Sequence, residues 1–159
     1  MDFWHQLISN RVLLTAAVGW FLAQSIKTIL YLALHREWNW ERMWGAGGMP
    51  SSHSSMVCSL TVAVGRWTGV ADPLFAIALM FAFVTIYDAM GVRREAGRHA
   101  RLLNKYLNIF ENNSADTDGD GDPDRPVQSI ILKELIGHSP LEVIGGITLG
   151  LLVGFLMPM

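Results

Sequence analysis

At 159 residues the chain has the length of one domain, and 51% hydrophobic residues, 16% charged residues and a mean hydropathy of +0.30 set it apart from soluble domains, which carry about 25% charge. A formal net charge of -2 gives no argument for a nucleic-acid partner. The one cysteine, Cys58, excludes an internal disulfide and reads as a small buried hydrophobe.

The first apolar stretch, Val12 to Leu34, is interrupted by Gln24 and Lys27. It is too long for a secretory signal and has no small-residue cleavage pattern. The second runs from Ser54 to Gly65 and stays apolar to Val70 apart from Arg66. The third, Leu74 to Met90, meets no charge until Asp88, and the last, Leu141 to Met159, has Glu142 at its mouth. A membrane span needs about 20 mostly apolar residues; the first, third and fourth stretches qualify, and the second is marginal. The expected fold is therefore all-α: a multi-span transmembrane helix bundle with about four spans plus short amphipathic helices, forming one membrane domain over residues 1–159. A very apolar soluble bundle is the competing reading. Trp38, Trp40 and Trp44 follow the first span and suit an interfacial aromatic belt.

Four crossings put the amino terminus, the turn Arg66 to Pro73 and the carboxyl terminus on one side, and His35 to His53 and Gly91 to Pro140 on the other. Three polar clusters then meet at the second face: Met49 to His53, Asp88 to Arg98, and His138 to Glu142. Lys27, about two turns before the end of the first span, reaches the same level at 1.5 Å per helical residue. Nine Lys and Arg residues fall on that face, against Arg11 and Arg66 opposite. The positive-inside rule thus places the motif face in the cytoplasm, in a multi-pass cell (inner) membrane.

In the long second loop, Leu102, Leu103, Tyr106, Leu107 and Phe110 form a helical stripe over Ala100 to Phe110. Such a helix lies along the headgroups or packs on the bundle. Val127, Ile131 and Leu135 suggest a second short amphipathic helix. Between them, residues 111–126 form an acidic insert in which Asp116, Asp118, Asp120 and Asp124 flank a glycine turn at Gly121. Alternating carboxylates suit a hard cation, calcium or magnesium, and the pattern resembles the calcium loops of dockerin-like and thrombospondin-like repeats. Position twelve is Val127 where an EF-hand has glutamate, and a solvated acidic linker is the plainer reading. Calcium suits an extracellular loop, in conflict with the charge argument.

Three motifs carry a resemblance: Gly47-Gly-Met-Pro-Ser-Ser-His-Ser54, Tyr87-Asp-Ala-Met-Gly-Val-Arg-Arg94 and Gly137-His-Ser-Pro-Leu-Glu-Val-Ile-Gly-Gly146. They resemble, in order, the blocks of the divergent branch of the type 2 phosphatidic acid phosphatase superfamily, which includes lipid phosphatases and vanadium-dependent haloperoxidases. Asn10 and Gln24-Ser-Ile-Lys27 extend the likeness over most of the chain except the acidic insert. The resemblance implies His138 as nucleophile, Glu142 as the partner on its other ring nitrogen, and His53 as the acid that protonates the leaving alkoxide. It implies Lys27 as a phosphate ligand, and Ser51 and Ser52 at a helix start suit the same task through backbone N–H groups. No cofactor is required by that route.

Two departures bear on it. Leu34 and His35 stand where the family's first block has Arg-Pro, and Leu132 stands where the third has an arginine six residues before the nucleophile. Arg93 and Arg94 either replace those arginines or anchor the chain at the headgroups, and Asp88 either orients one of them or caps interhelical contacts. Ser139-Pro140-Leu141-Glu142 also reads as an N-cap serine, a first-turn proline and a capping-box glutamate. Under the plain reading His53 and His138 are satisfied interfacial histidines. The expected activity is an integral membrane phosphatase acting on a lipid or polyprenyl phosphate, the partners being that substrate, the membrane and a second copy of the chain. A non-catalytic lipid-phosphate-binding protein and a cation-regulated membrane module are the rivals.

Overall fold

The computed structural model describes residues 2–36, 48–115, 132 and 137–159. Among these every regular element is a helix: α1 Phe3–Ser9, α2 Arg11–His35, α3 Ser52–Thr68, α4 Pro73–Met90, α5 Val92–Ala115 and α6 Pro140–Leu156. The sequence marks where four of them start. Asn10, Ser51, Asp72 and Ser139 accept backbone N–H bonds at the heads of α2, α3, α4 and α6, and prolines open α4 and α6.

Helix α3 is the centre, packed against α2, α4 and α6. Its seam with α6 is made of backbone. A Cβ added at Gly146 would collide with the Ser51 carbonyl, one at Gly150 with the Ser55 backbone, and one at Gly154 with the Val62 side chain. Gly19 brings α2 equally close, and the Ser55 hydroxyl donates to the Gly19 carbonyl at 2.8 Å. Small residues at four-residue spacing allow this approach, the means by which helices associate in lipid. The interior is accordingly small and hydroxyl-rich, with Ala16, Ala23, Ala63, Ser54, Ser55 and Ser59 buried. The large side chains point outward: Ile29, Ile77, Phe83, Val84, Ile144 and Phe155 are all more than half exposed. Water would penalise that inversion, whereas hydrocarbon does not.

Among the described residues two helical stretches, Arg11–Leu34 and Pro73–Leu107, are long and apolar enough to cross a membrane, and Pro140–Leu156 is a shorter apolar helix. The last turn of α6 is closed from across the bundle, where Arg66 Nη1 donates to the carbonyls of Gly154 and Met157, each at 2.7 Å.

The chain leaves α4 differently from the expectation of a loop. Gly91 (φ -95°, ψ -87°) breaks the helix for one residue and α5 begins at Val92. The cluster Asp88 to Arg98 therefore straddles a helix junction, and the stripe expected over Ala100 to Phe110 belongs to a helix more than twice as long. Gly97, Ala100 and Asn104 form its buried side, while Leu102, Leu103, Tyr106 and Leu107 are exposed. The Asn104 amide holds the Leu132 backbone from both sides, donating to its carbonyl at 2.8 Å and accepting its N–H at 2.9 Å. Trp38, Trp40 and Trp44, the acidic segment Asp116 to Asp124, and the stripe Val127, Ile131, Leu135 lie outside the described residues.

Candidate functional site

His138 is placed by the residues on either side of it. Gly137 adopts φ +102°, and a Cβ there would overlap the backbone of Arg93 and Arg94, so the chain passes directly over the start of α5. The next peptide is fixed at the end of α4, where the His138 N–H donates to the Ala89 carbonyl at 3.1 Å. These two contacts join the third sequence motif to the second.

Glu142 resolves the choice between capping and orientation by doing both. One carboxylate oxygen, Oε2, accepts from the Ser139 N–H at 3.1 Å and faces His138 Nδ1 at 2.9 Å, while Ser139 Oγ accepts the Glu142 N–H. An ionised carboxylate can only accept, so a neutral His138 ring facing it carries its proton on Nδ1 and presents the Nε2 lone pair. The ring is held firmly, His138 being only 4% exposed.

The first motif arrives through one backbone bond, from the Ser51 N–H to the Glu142 carbonyl at 2.9 Å. Ser51 Oγ caps α3, which puts His53 in the first helical turn. The His53 and His138 rings then lie 6.2 Å apart between centroids and tilted by 59°. Both line one pocket, together with Thr85, Asp88, Ala89, Gly137 and Arg93. At its rim Arg93 Nε donates to Asp88 Oδ2 at 2.7 Å, which aims the guanidinium while both side chains remain nearly half exposed. Burial, then the neighbouring His138 ring and the positive charges of Arg93 and Lys27, hold the His53 imidazole below the usual histidine range, and the negative charge of Asp88 opposes them.

The remaining sequence candidates take different places. Lys27 is 4% exposed, and its stem lies under Gly48 of the first motif. Ser51 and Ser52 are buried at the start of α3, with the Ser51 amide engaged by Glu142. Arg94 contributes its backbone to the Gly137 contact, and its side chain is absent from the pocket lining. Thr85 and Ala89, which hydropathy reads only as span residues, form part of the wall. Thr85 lies three residues from Asp88 and four from Ala89, whose carbonyl holds His138, a helical spacing that becomes informative once Asp88 is known to face inward. Among the described residues no group of three or more His, Cys, Asp or Glu side chains gathers as a metal centre; the Asp116, Asp118, Asp120 and Asp124 loop is outside them.

Chemically, the arrangement offers an imidazole whose outer nitrogen is backed by a carboxylate, a second imidazole across a small gap, and a guanidinium at the mouth. That set suits an anion held between two rings.

Residues 8–153 match the family model described as the divergent PAP2 family. A relative from Bacillus subtilis (strain 168), described as the uncharacterized membrane protein YuiD, is 37% identical over 147 residues, spanning 90% of this chain and 91% of the relative. No solved structure matches the chain.

Proposed function

The chain belongs to the divergent PAP2 family, and on that premise we propose that it is an integral membrane phosphatase that hydrolyses a lipid or polyprenyl phosphate through a phosphohistidine. The observation that carries the reading is the shared pocket: His138 with its carboxylate-backed Nδ1, and His53 at 6.2 Å, beneath Arg93.

His138 Nε2 attacks phosphorus and the bond to the lipid oxygen breaks, the leaving alkoxide taking a proton from His53. Glu142 stabilises the positive charge that forms on the His138 ring. His53, now neutral, takes a proton from water, which attacks the phosphohistidine and releases inorganic phosphate and free His138. Arg93, aimed by Asp88, neutralises the phosphate oxygens, with Lys27 and Arg94 adding positive charge from outside the pocket lining and the Ser52 amide at the head of α3 as a further donor. Four crossings bring these groups to one face, which the distribution of Lys and Arg assigns to the cytoplasm. A cation in the Asp116 to Asp124 loop would serve regulation or structure rather than this chemistry.

The test is release of inorganic phosphate from phosphatidic acid or a polyprenyl phosphate by purified protein in detergent. Activity should fall to background in His138→Ala and by about 10²- to 10⁴-fold in His53→Ala. Turnover that survives both replacements refutes the assignment. A second reading, a lipid-phosphate-binding protein without turnover, draws on Leu34, His35 and Leu132 standing where the superfamily motifs carry Arg-Pro and arginine. Tight binding of a lipid phosphate with no phosphate released would select it.

A further inference from the structure

Beyond the polar pocket, the same helices enclose a second cavity of opposite character. Cys58, Thr61 and Val62 of α3, Leu79, Ala82, Phe83 and Ile86 of α4, and Ile147 and Leu151 of α6 surround about 550 Å³ of space that includes its open side. Its floor is small and buried: Cys58 and Ala82 are each under 9% exposed. The one hydroxyl in the wall is occupied, because Thr61 Oγ donates to the Val57 carbonyl at 2.8 Å and lies 3.2 Å from that of Ala78. The surface offered to an occupant is therefore apolar. Its rim, Phe83 and Leu151, belongs to the outward faces that suit lipid.

The two cavities adjoin along α4, with no lining residue in common. On α4, Ile86 of the groove neighbours Thr85 and lies within one turn of Asp88 and Ala89 of the pocket, and Ala82 lies one to two turns from all three. On α3, Cys58 follows His53 by five residues, about 7.5 Å of helix. Ile147 of α6 lies nine residues beyond His138, which precedes that helix. A charged, hydrogen-bonding pocket at the end of α4 is thus followed, toward the bundle's middle, by an apolar trough with alanine at position 82. An amphiphile has that order of parts.

We infer that the groove between α3, α4 and α6 receives the apolar tail of the molecule whose phosphate occupies the His53–His138 pocket, with Ala82 setting how much tail it admits. The inference rests on the phosphatase reading for its headgroup and adds a chain-recognition site to it. One groove of this kind takes a single hydrocarbon chain, so the preferred substrate is a phosphate monoester with at least one long tail. A second tail, where there is one, lies in the bilayer.

Two measurements decide it. In the first, kcat/KM is compared for a long-chain alkyl phosphate and a short water-soluble one, with the wild-type protein and with Ala82→Phe, which fills the trough. The long-to-short ratio should be at least about tenfold in the wild type and collapse toward one in the variant, since each buried methylene carries a substantial transfer energy. An unchanged ratio in a folded Ala82→Phe protein overturns the inference; Ala82→Val, a smaller filling, takes its place where the phenylalanine prevents folding. In the second, wild-type protein in nanodiscs of neutral lipid is irradiated with an alkyl phosphate carrying a diazirine on its tail. Labelling should fall on residues 79–86 and 147–151 and be displaced by the unlabelled alkyl phosphate but not by the corresponding alcohol. Labelling elsewhere, or equal displacement by the alcohol, means that the groove holds ordinary bilayer lipid. This arm needs no turnover, so a protein that binds but does not hydrolyse would remove the phosphatase reading and leave tail recognition standing.

Discussion

Along α6, Gly146, Gly150 and Gly154 press backbone against α3, whereas Glu142, one turn earlier, and His138, just before the helix, meet the rest of the molecule through side chains and two backbone bonds, one to α4 and one to the head of α3. The two regions are thus joined to the bundle in different ways. In the seam, distance is set by the absence of side chains, so nothing can be added. In the pocket, the side chains are the content, and the frame around them is already fixed. Substitutions in the two regions should separate accordingly: the seam answers for folding, the pocket for chemistry.

The largest effect is expected in the seam. Gly150→Leu would drive a branched side chain into the Ser55 backbone and the Cys58 Cβ. Overpacking an ordinary core costs about 1–3 kcal/mol because side chains can move aside; here the obstacle includes a helix backbone. Loss of folded protein in detergent, read by size exclusion and thermal melting, is the expected outcome. A Gly150→Leu protein that melts like wild type would mean that the seam is looser than its geometry.

Next comes the pocket, where Glu142→Gln isolates chemistry from folding. Glutamine can still complete a capping box at the third helical position, so the melting temperature should stay close to wild type, with a cost below about 1 kcal/mol. It cannot supply the negative charge that stabilises the His138 imidazolium or hold its tautomer. By analogy with the loss of an orienting carboxylate behind a catalytic histidine, phosphate release should drop by about 10²- to 10⁴-fold. Equal losses of stability and activity would reduce Glu142 to a cap. A smaller effect is expected from Asp88→Asn, which frees Arg93 from its 2.7 Å partner without removing the guanidinium. The Michaelis constant should rise more than kcat falls, because a misaimed arginine loses ground-state contact with the phosphate as well as transition-state contact.

The sequence was informative about these regions to different degrees, for physical reasons. Helix starts were legible because a cap is a local chemical signal: Asn10, Ser51, Asp72 and Ser139 stand where the helices begin. So was the meeting of His53 with His138, through the resemblance of three ordered motifs and the alternation of apolar stretches. Which face of α2, α4 or α6 turns inward was not legible, since these helices are apolar nearly all round and periodicity has no contrast to report. The glycines of α6 recur every fourth residue in plain view, yet hydropathy gives glycine no weight and only their partners on α3 show what the spacing does. The junction at Gly91 was missed because a one-residue break between two helices looks, in sequence, like the start of a loop. Gly137 belongs with it: its positive φ and its contact with Arg93 and Arg94 are long-range facts that no local pattern encodes.

The smallest effect tests what holds the seam together. Ser55 Oγ donates to the Gly19 carbonyl at 2.8 Å across the α2–α3 contact, and hydrogen bonds between helices in lipid are worth only about 0.6 kcal/mol on average. Gly19 itself leaves no room, a Cβ there meeting the Ser59 side chain and the Ser55 carbonyl. If close approach is the main cohesive device, Ser55→Ala should cost no more than about 1 kcal/mol in a reversible unfolding titration and leave phosphate release unchanged. Gly19→Val, which keeps the hydroxyl but forces the helices apart, should cost several times as much. The reverse ranking would make the buried hydroxyls the glue, and the small residues merely the space in which those hydroxyls work.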